Sequence, residues 1–161
     1  ETFPGLIEAG ETVMGYLESA YWLDVGTPET FVRGSCDLVR GELASPALPG
    51  VCGDALLLEG VSADRSAQLS GGSAIGAGSV IGADATVDGS VLFDEVTIGA
   101  GASVVDSVVG SGARIGDGAV LNRAVIGAGA EIGAGNELLG GIRVWPGVRL
   151  DGTAIRFSTD A

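Results

Sequence analysis

The sequence contains no histidine and no lysine. Without histidine, no side chain of ordinary pKa near neutrality can act as a general base, and a catalytic zinc has no imidazole ligands. Without lysine, no ammonium group is present to bind phosphate, and eight arginines carry all the side-chain positive charge. The formal net charge is −13, which argues against nucleic acid and anionic membrane as partners, since both call for cationic patches. Two cysteines, Cys36 and Cys52, are too few for a disulfide framework and lack metal-ligand spacing. Reduced thiols in a cytoplasmic protein are the expectation. Aromatic residues form only 5% of the chain, so any core must be aliphatic. No apolar run approaches the roughly 20 residues that span a bilayer. The first residue is Glu1 rather than methionine, and a fragment or processed chain is expected.

What is present in abundance is glycine, 29 residues, and a repeat that explains it. Ile75, Leu92, Val109 and Ile126 recur every seventeen residues. So do Ile81, Ile98, Ile115 and Ile132, and so do Val87, Val104, Leu121 and Leu138. Gly82, Gly99, Gly116 and Gly133 follow the second series. Aliphatics separated by six, six and five residues describe three short rungs and a tight return, which is one coil of a parallel β-helix. Ala113 and Ile115 share a face because strand side chains alternate, and the pairs Ser79/Ile81, Ala102/Val104, Ala119/Leu121 and Ala130/Ile132 repeat that small-then-large pattern. A narrow prism has room for one branched and one small side chain per rung. The glycine after each aliphatic suits a corner needing positive φ or close approach. Repeated Gly-Ala-Gly would cost a helix about 1 kcal/mol per glycine, and a flexible linker would keep no aliphatic register.

Ahead of the repeat, residues 1–41 read as a small α+β piece. Phe3–Ile7 reads as the end of a short helix or a turn. Glu11–Leu17 and Ala20–Val25 read as a strand pair that needs a sheet to join. A helix follows over 28–40: Thr27 caps it, Pro28 opens it, Glu29 suits the positive end of the dipole, and Gly41 stops it. Its apolar face is read as Phe31, Val32, Cys36, Leu38 and Val39. Residues 42–55 form a turn-rich linker, 56–150 the β-helix with a C-terminal cap, and 151–161 a tail. Because Arg143 and Arg149 stand where the first two ladders would continue, the repeat is expected to stop near Ile142. Val144–Val148 is then expected to cover the open end, with Trp145 as part of that cap. Outward Val91, Val108, Val125 and Ile142 form an apolar stripe that either packs at a corner or under the linker, or serves self-association.

Gly15-Tyr16, the run Tyr21-Trp22-Leu23-Asp24-Val25-Gly26-Thr27-Pro28-Glu29, Phe31 and Asp37-Leu38-Val39 resemble the closing segment of the catalytic domain in sugar-nucleotide pyrophosphorylases. Gly76–Gly141, with Val144-Trp145-Pro146-Gly147 behind it, is similar to the left-handed β-helix tail of the same enzymes. Among them the chain most resembles mannose-1-phosphate guanylyltransferases. The resemblance implies nucleotidyl transfer between a sugar 1-phosphate and a nucleoside triphosphate, Mg²⁺ as cofactor, a homo-oligomer, and Asp24 as one of the metal-holding carboxylates. Read from the residues alone, Asp24 instead hydrogen-bonds the Gly26-Thr27 turn, and Trp22 packs. The family's Gly-rich nucleotide-binding loop with its Arg and Lys has no counterpart, nor has the second carboxylate. The chain is therefore expected to be the C-terminal part of a transferase, inactive alone, its prism serving stability and assembly.

Other chemistries of the same prism are excluded or weakened by composition. Acyltransferases and carbonic anhydrases of this shape need histidine. Asp84, Asp94, Asp106 and Asp117 do not recur in the register of a Ca²⁺-binding β-roll, and Thr86 and Thr97 make no ice-binding row. A non-catalytic assembly module is the alternative that remains.

Overall fold

A computed structural model describes residues 2–46, 48 and 53–156. Glu1, Cys52, part of the 42–55 linker and the end of the 151–161 tail lie outside the described residues. The repeat folds as a left-handed parallel β-helix. Its first sheet stacks Ala55–Leu57, Ser73–Ile75, Val91–Leu92, Val108–Val109, Val125–Ile126 and Arg143–Val144. The second stacks Ser62–Ala63, Val80–Ile81, Thr97–Ile98, Arg114–Ile115, Glu131–Ile132 and Arg149–Leu150. The third stacks Gln68–Ser70, Thr86–Asp88, Ser103–Val105, Val120–Asn122 and Glu137–Leu138. Register follows the ladders, with Ile81 beside Ile98, Ile98 beside Ile115, and Ile115 beside Ile132.

All three ladders point inward and are buried from Ile75 through Leu138, with Ala85, Ala102, Ala113, Ala119 and Ala130 filling the remaining space. Each such branched side chain removed from water contributes about 1.5–3 kcal/mol before ordering costs. At the corners, close approach rather than positive φ explains the glycine after each second-ladder aliphatic. A Cβ on Gly82 would stand 2.8 Å from the Ala100 nitrogen of the next coil, and one on Gly116 2.5 Å from that of Ala134. The left-handed backbone falls two residues later, at Asp84, Gly101, Gly118 and Gly135.

A second inward column was not legible in the aliphatic pattern. Ser73, Ser90 and Ser107 are fully buried at the five-residue return corner. Each hydroxyl accepts an N–H from the next coil: Ser90 on Ser73 at 3.1 Å, Ser107 on Ser90 at 3.0 Å, and Ala124 on Ser107 at 3.0 Å. The Ser90 and Ser107 hydroxyls donate in turn to the carbonyls of Asp88 and Val105. The tight return leaves one amide per coil without a ladder carbonyl, and serine supplies the acceptor.

The end of the repeat corrects the sequence expectation. Strands Arg143–Val144 and Arg149–Leu150 pair in parallel with the preceding coil, so the prism continues past Ile142. Gly140-Gly141 adds one residue to the return corner, and the offset becomes eighteen, with Val144 beside Ile126 and Leu150 beside Ile132. A one-residue shift exchanges inward and outward positions. Arg143 and Arg149 therefore face out, Arg149 pairing with Glu131 at 3.3 Å. Trp145 is 79% exposed and plugs nothing. Gly71-Gly72 produces the same eighteen-residue offset at the first coil, where Leu57, Ala63 and Leu69 align with Ile75, Ile81 and Val87.

Two helices precede the prism, α1 (Thr2–Glu8) and α2 (Pro28–Arg40). Thr27 caps α2 reciprocally with Thr30, and Gly41 closes it at φ 77. The anticipated strand pair over 11–25 does not form; among the described residues this stretch has no ladder partner. Two short strands without a third are marginal in water.

Candidate functional site

Helix α2 lies across the first sheet because its i, i+4, i+7 residues Val32, Cys36 and Val39 are apolar and buried, while Phe31 stays largely at the surface. Val32 and Cys36 cover Val91 and Val108, so the apolar stripe is partly roofed by this helix. Val125 is half-buried. Ile142 does not belong to the stripe: its carbonyl accepts the Val125 N–H, the place Ala124 holds for Val108, and its side chain packs into the interior. Gly72 permits the close crossing, since a Cβ there would lie 2.7 Å from the Cys36 carbonyl oxygen. Burial pushes the Cys36 thiol up to about 11, which leaves it protonated and unreactive at neutral pH.

Among the described residues the one buried carboxylate is that of Asp37, on α2. Tyr21 donates its hydroxyl to Oδ2 at 2.5 Å, and Arg40 donates Nη2 to Oδ1 at 2.6 Å. Arg40 also donates Nη1 to the Gly71 carbonyl at 3.0 Å and Nε to Glu42 at 3.0 Å. The hydrogen bond from Tyr21, then the one from Arg40, holds the Asp37 carboxyl below the usual carboxylate range against the cost of burial. The same contact holds the Tyr21 phenol above its ordinary value.

This network orders the stretch that carries Asp24. Leu23 and Val25 stand over Gly34 of α2, where a Cβ would lie 3.1 Å from Leu23 Cδ2 and 3.6 Å from Val25 Cγ1. Tyr21, Leu23 and Val25 thus face the helix, and Trp22, 82% exposed, and Asp24, also exposed, face away. Asp24 Oδ1 accepts the Gly26 N–H at 3.1 Å in a side-chain turn ahead of the Thr27 cap. Trp22, expected to pack, does not.

Beside α2 a groove of about 270 Å³ is lined by Glu29, Arg33, Arg40, Asp106 and Arg123 among others. It sets three arginines against two carboxylates. Among the described residues no three histidine, cysteine, aspartate or glutamate side chains converge as a metal site. Asp24 by itself offers a single carboxylate, which suits Mg²⁺ only as one ligand among waters and phosphate oxygens. No helix among the described residues is long and apolar enough to cross a membrane.

Comparison with known proteins places these features. The chain is 55% identical over 161 residues to the mannose-1-phosphate guanylyltransferase of Mycobacterium tuberculosis (strain ATCC 25618 / H37Rv), covering 99% of this chain and 45% of that protein. It corresponds to the C-terminal part of that relative and spans less than half its length. Among solved structures, the acetyltransferase domain of PglB from Neisseria gonorrhoeae FA1090, in complex with acetyl coenzyme A, is 21% identical. The alignment covers 89% of this chain and 88% of that one at a TM-score of 0.32, too loose a superposition to carry an argument. Residues 54–140 match the family described as GlmU-like, C-terminal hexapeptide. That match takes in more than half of the chain, which therefore belongs to the GlmU-like C-terminal hexapeptide family.

Proposed function

We propose that this chain is the C-terminal part of a sugar-1-phosphate nucleotidyltransferase, a mannose-1-phosphate guanylyltransferase acting in the cytoplasm. The observation that carries the reading is the 55% identity to such an enzyme in an alignment that covers 99% of this chain. In the reaction, a phosphate oxygen of mannose 1-phosphate attacks the α-phosphorus of GTP, the bond to the β-phosphate breaks, and GDP-mannose and pyrophosphate form. Mg²⁺ supplies charge neutralisation on the phosphates. On this chain Asp24 would contribute one oxygen to it, its turn using only Oδ1.

The exposed side chains of Phe3, Ile7, Met14, Tyr16, Leu17 and Trp22 support a role for residues 2–25 as a surface covered by the catalytic part. The prism would stabilise that part and serve a homo-oligomer. Val105, Val120 and Leu139, which line a shallow depression of about 490 Å³ on the third sheet, favour the second reading, self-association as a module without catalysis.

With GTP, mannose 1-phosphate and Mg²⁺, the 161-residue chain is expected to release no pyrophosphate, and the protein extended by the catalytic part is expected to release it. Failure of the extended protein with every sugar 1-phosphate and nucleotide pair would leave the module reading. Sedimentation of both would test self-association.

A further inference from the structure

We propose that Asp37 is a positioning residue for Asp24, a latch through which the prism fixes the segment that reaches toward the reaction; this rests on the reading of Asp24 as a Mg²⁺ ligand. Three contacts form one chain of hydrogen bonds. Tyr21, three residues before Asp24, is held by Asp37; Asp37 is held by Arg40; and Arg40 is held by the Gly71 carbonyl at the first full return of the β-helix. The junction is buried where it matters, Asp37 being 3% exposed.

The alternation of the segment gives the latch its direction. Tyr21 and Leu23 are fastened to α2, so Asp24 between Leu23 and Val25 must point the opposite way, and the Gly26 turn fixes its carboxylate against the helix cap. The segment itself makes no ladder with any described strand. Its placement therefore depends on side chains, and among the described residues Asp37 is the one that links it by hydrogen bonds to both α2 and, through Arg40, the prism. A buried carboxylate is costly unless fully paired. Here it is paired from both sides, which gives a rigid junction of defined geometry.

The test uses Tyr21→Phe, which removes one hydroxyl, Asp37→Asn, which keeps shape and loses charge, and Asp24→Asn, whose amide oxygen can keep the turn. Hydrogen exchange of residues 20–26 is read on the 161-residue chain. Mn²⁺ affinity, read from the spectrum of the free ion, is measured on the protein extended by the catalytic part. For Tyr21→Phe the expectation is exchange at 20–26 faster by about tenfold, as one lost net hydrogen bond gives. Mn²⁺ affinity should fall several-fold, kcat should fall with the KM for sugar phosphate unchanged, and the melting of the prism should not change. Asp37→Asn should raise exchange and weaken Mn²⁺ binding more strongly, and because it also loses the charged pair with Arg40 it should lower the stability of the chain slightly at neutral pH. Wild-type exchange and Mn²⁺ affinity in both variants, with Asp24→Asn weakened, would overturn the latch alone. Unchanged Mn²⁺ affinity in Asp24→Asn would overturn the metal reading and, with it, the role of Asp37 toward the metal.

Discussion

The prism and the stretch ahead of α2 belong to one chain and treat their apolar residues in opposite ways. From Ile75 to Val144 the ladder aliphatics are buried, whereas Phe3, Ile7, Met14, Tyr16, Leu17 and Trp22 are exposed. The repeat guarantees each inward side chain a like neighbour one coil away, at the ordinary strand spacing of about 4.8 Å, so burial is settled by stacking. Residues 2–26 have no repeat and must borrow a surface. Among the described residues α2 offers one, and it is used by Tyr21 and Leu23. Self-sufficiency thus comes with periodicity, and the aperiodic piece leaves its apolar side chains exposed.

The sharpest way to break this contrast is a charge inside the prism. Ile115→Asp places an unpartnered carboxylate among Ile98 and Ile132 and is expected to cost about 4 kcal/mol or more, with cooperative loss of the β signal in circular dichroism. Melting within a couple of degrees of the original would contradict an inward Ile115. Ser90→Ala is expected to cost about 1–3 kcal/mol, because the Ser107 N–H loses its only acceptor inside the wall. Denaturant midpoints compared with those of Ser35→Ala, a hydroxyl at the α2 surface, would isolate that effect.

The smallest effect comes from acid and concerns the junction between the two regions. The Asp37 carboxyl is held below its ordinary value, so its contribution is fully present above about pH 4 and is lost as pH falls through the lowered value in the folded protein. The stability difference between the natural chain and Asp37→Asn should therefore shrink as pH drops below about 4. A difference that stays constant from pH 6 to 2 would contradict the pairing.

Much of this was legible in the sequence, and the reasons for the rest are physical. Three aliphatic series and their glycines suffice to read the prism, because a helix does not tolerate glycine-rich corners and a linker keeps no fixed period. Thr27, Pro28 and Gly41 marked α2 for similar reasons of local chemistry. The last coil was misread because Gly140-Gly141 lengthens one corner by a residue, and a count carried through it puts Arg143 inside and Val144 outside. The strand pair over 11–25 was read from alternation, which states what a segment could pair with and not whether a partner is there. The burial of Asp37 is not legible in the sequence, because a charged helix residue is ordinarily exposed and its pairing with Tyr21, sixteen residues earlier, and with Arg40 is what allows it to be buried. The Asp24 turn was visible in the Asp-x-Gly spacing.

Hydrogen exchange measured along the chain tests the division between prism and leading segment most directly. Amides from 73 to 150 should be the slowest, opening together, and amides from 11 to 19 should exchange fastest, with 20–26 between them because of the Asp37 junction. Protection spread evenly over residues 2–26 and the coils would contradict the division into a self-sufficient prism and a segment that waits for a surface.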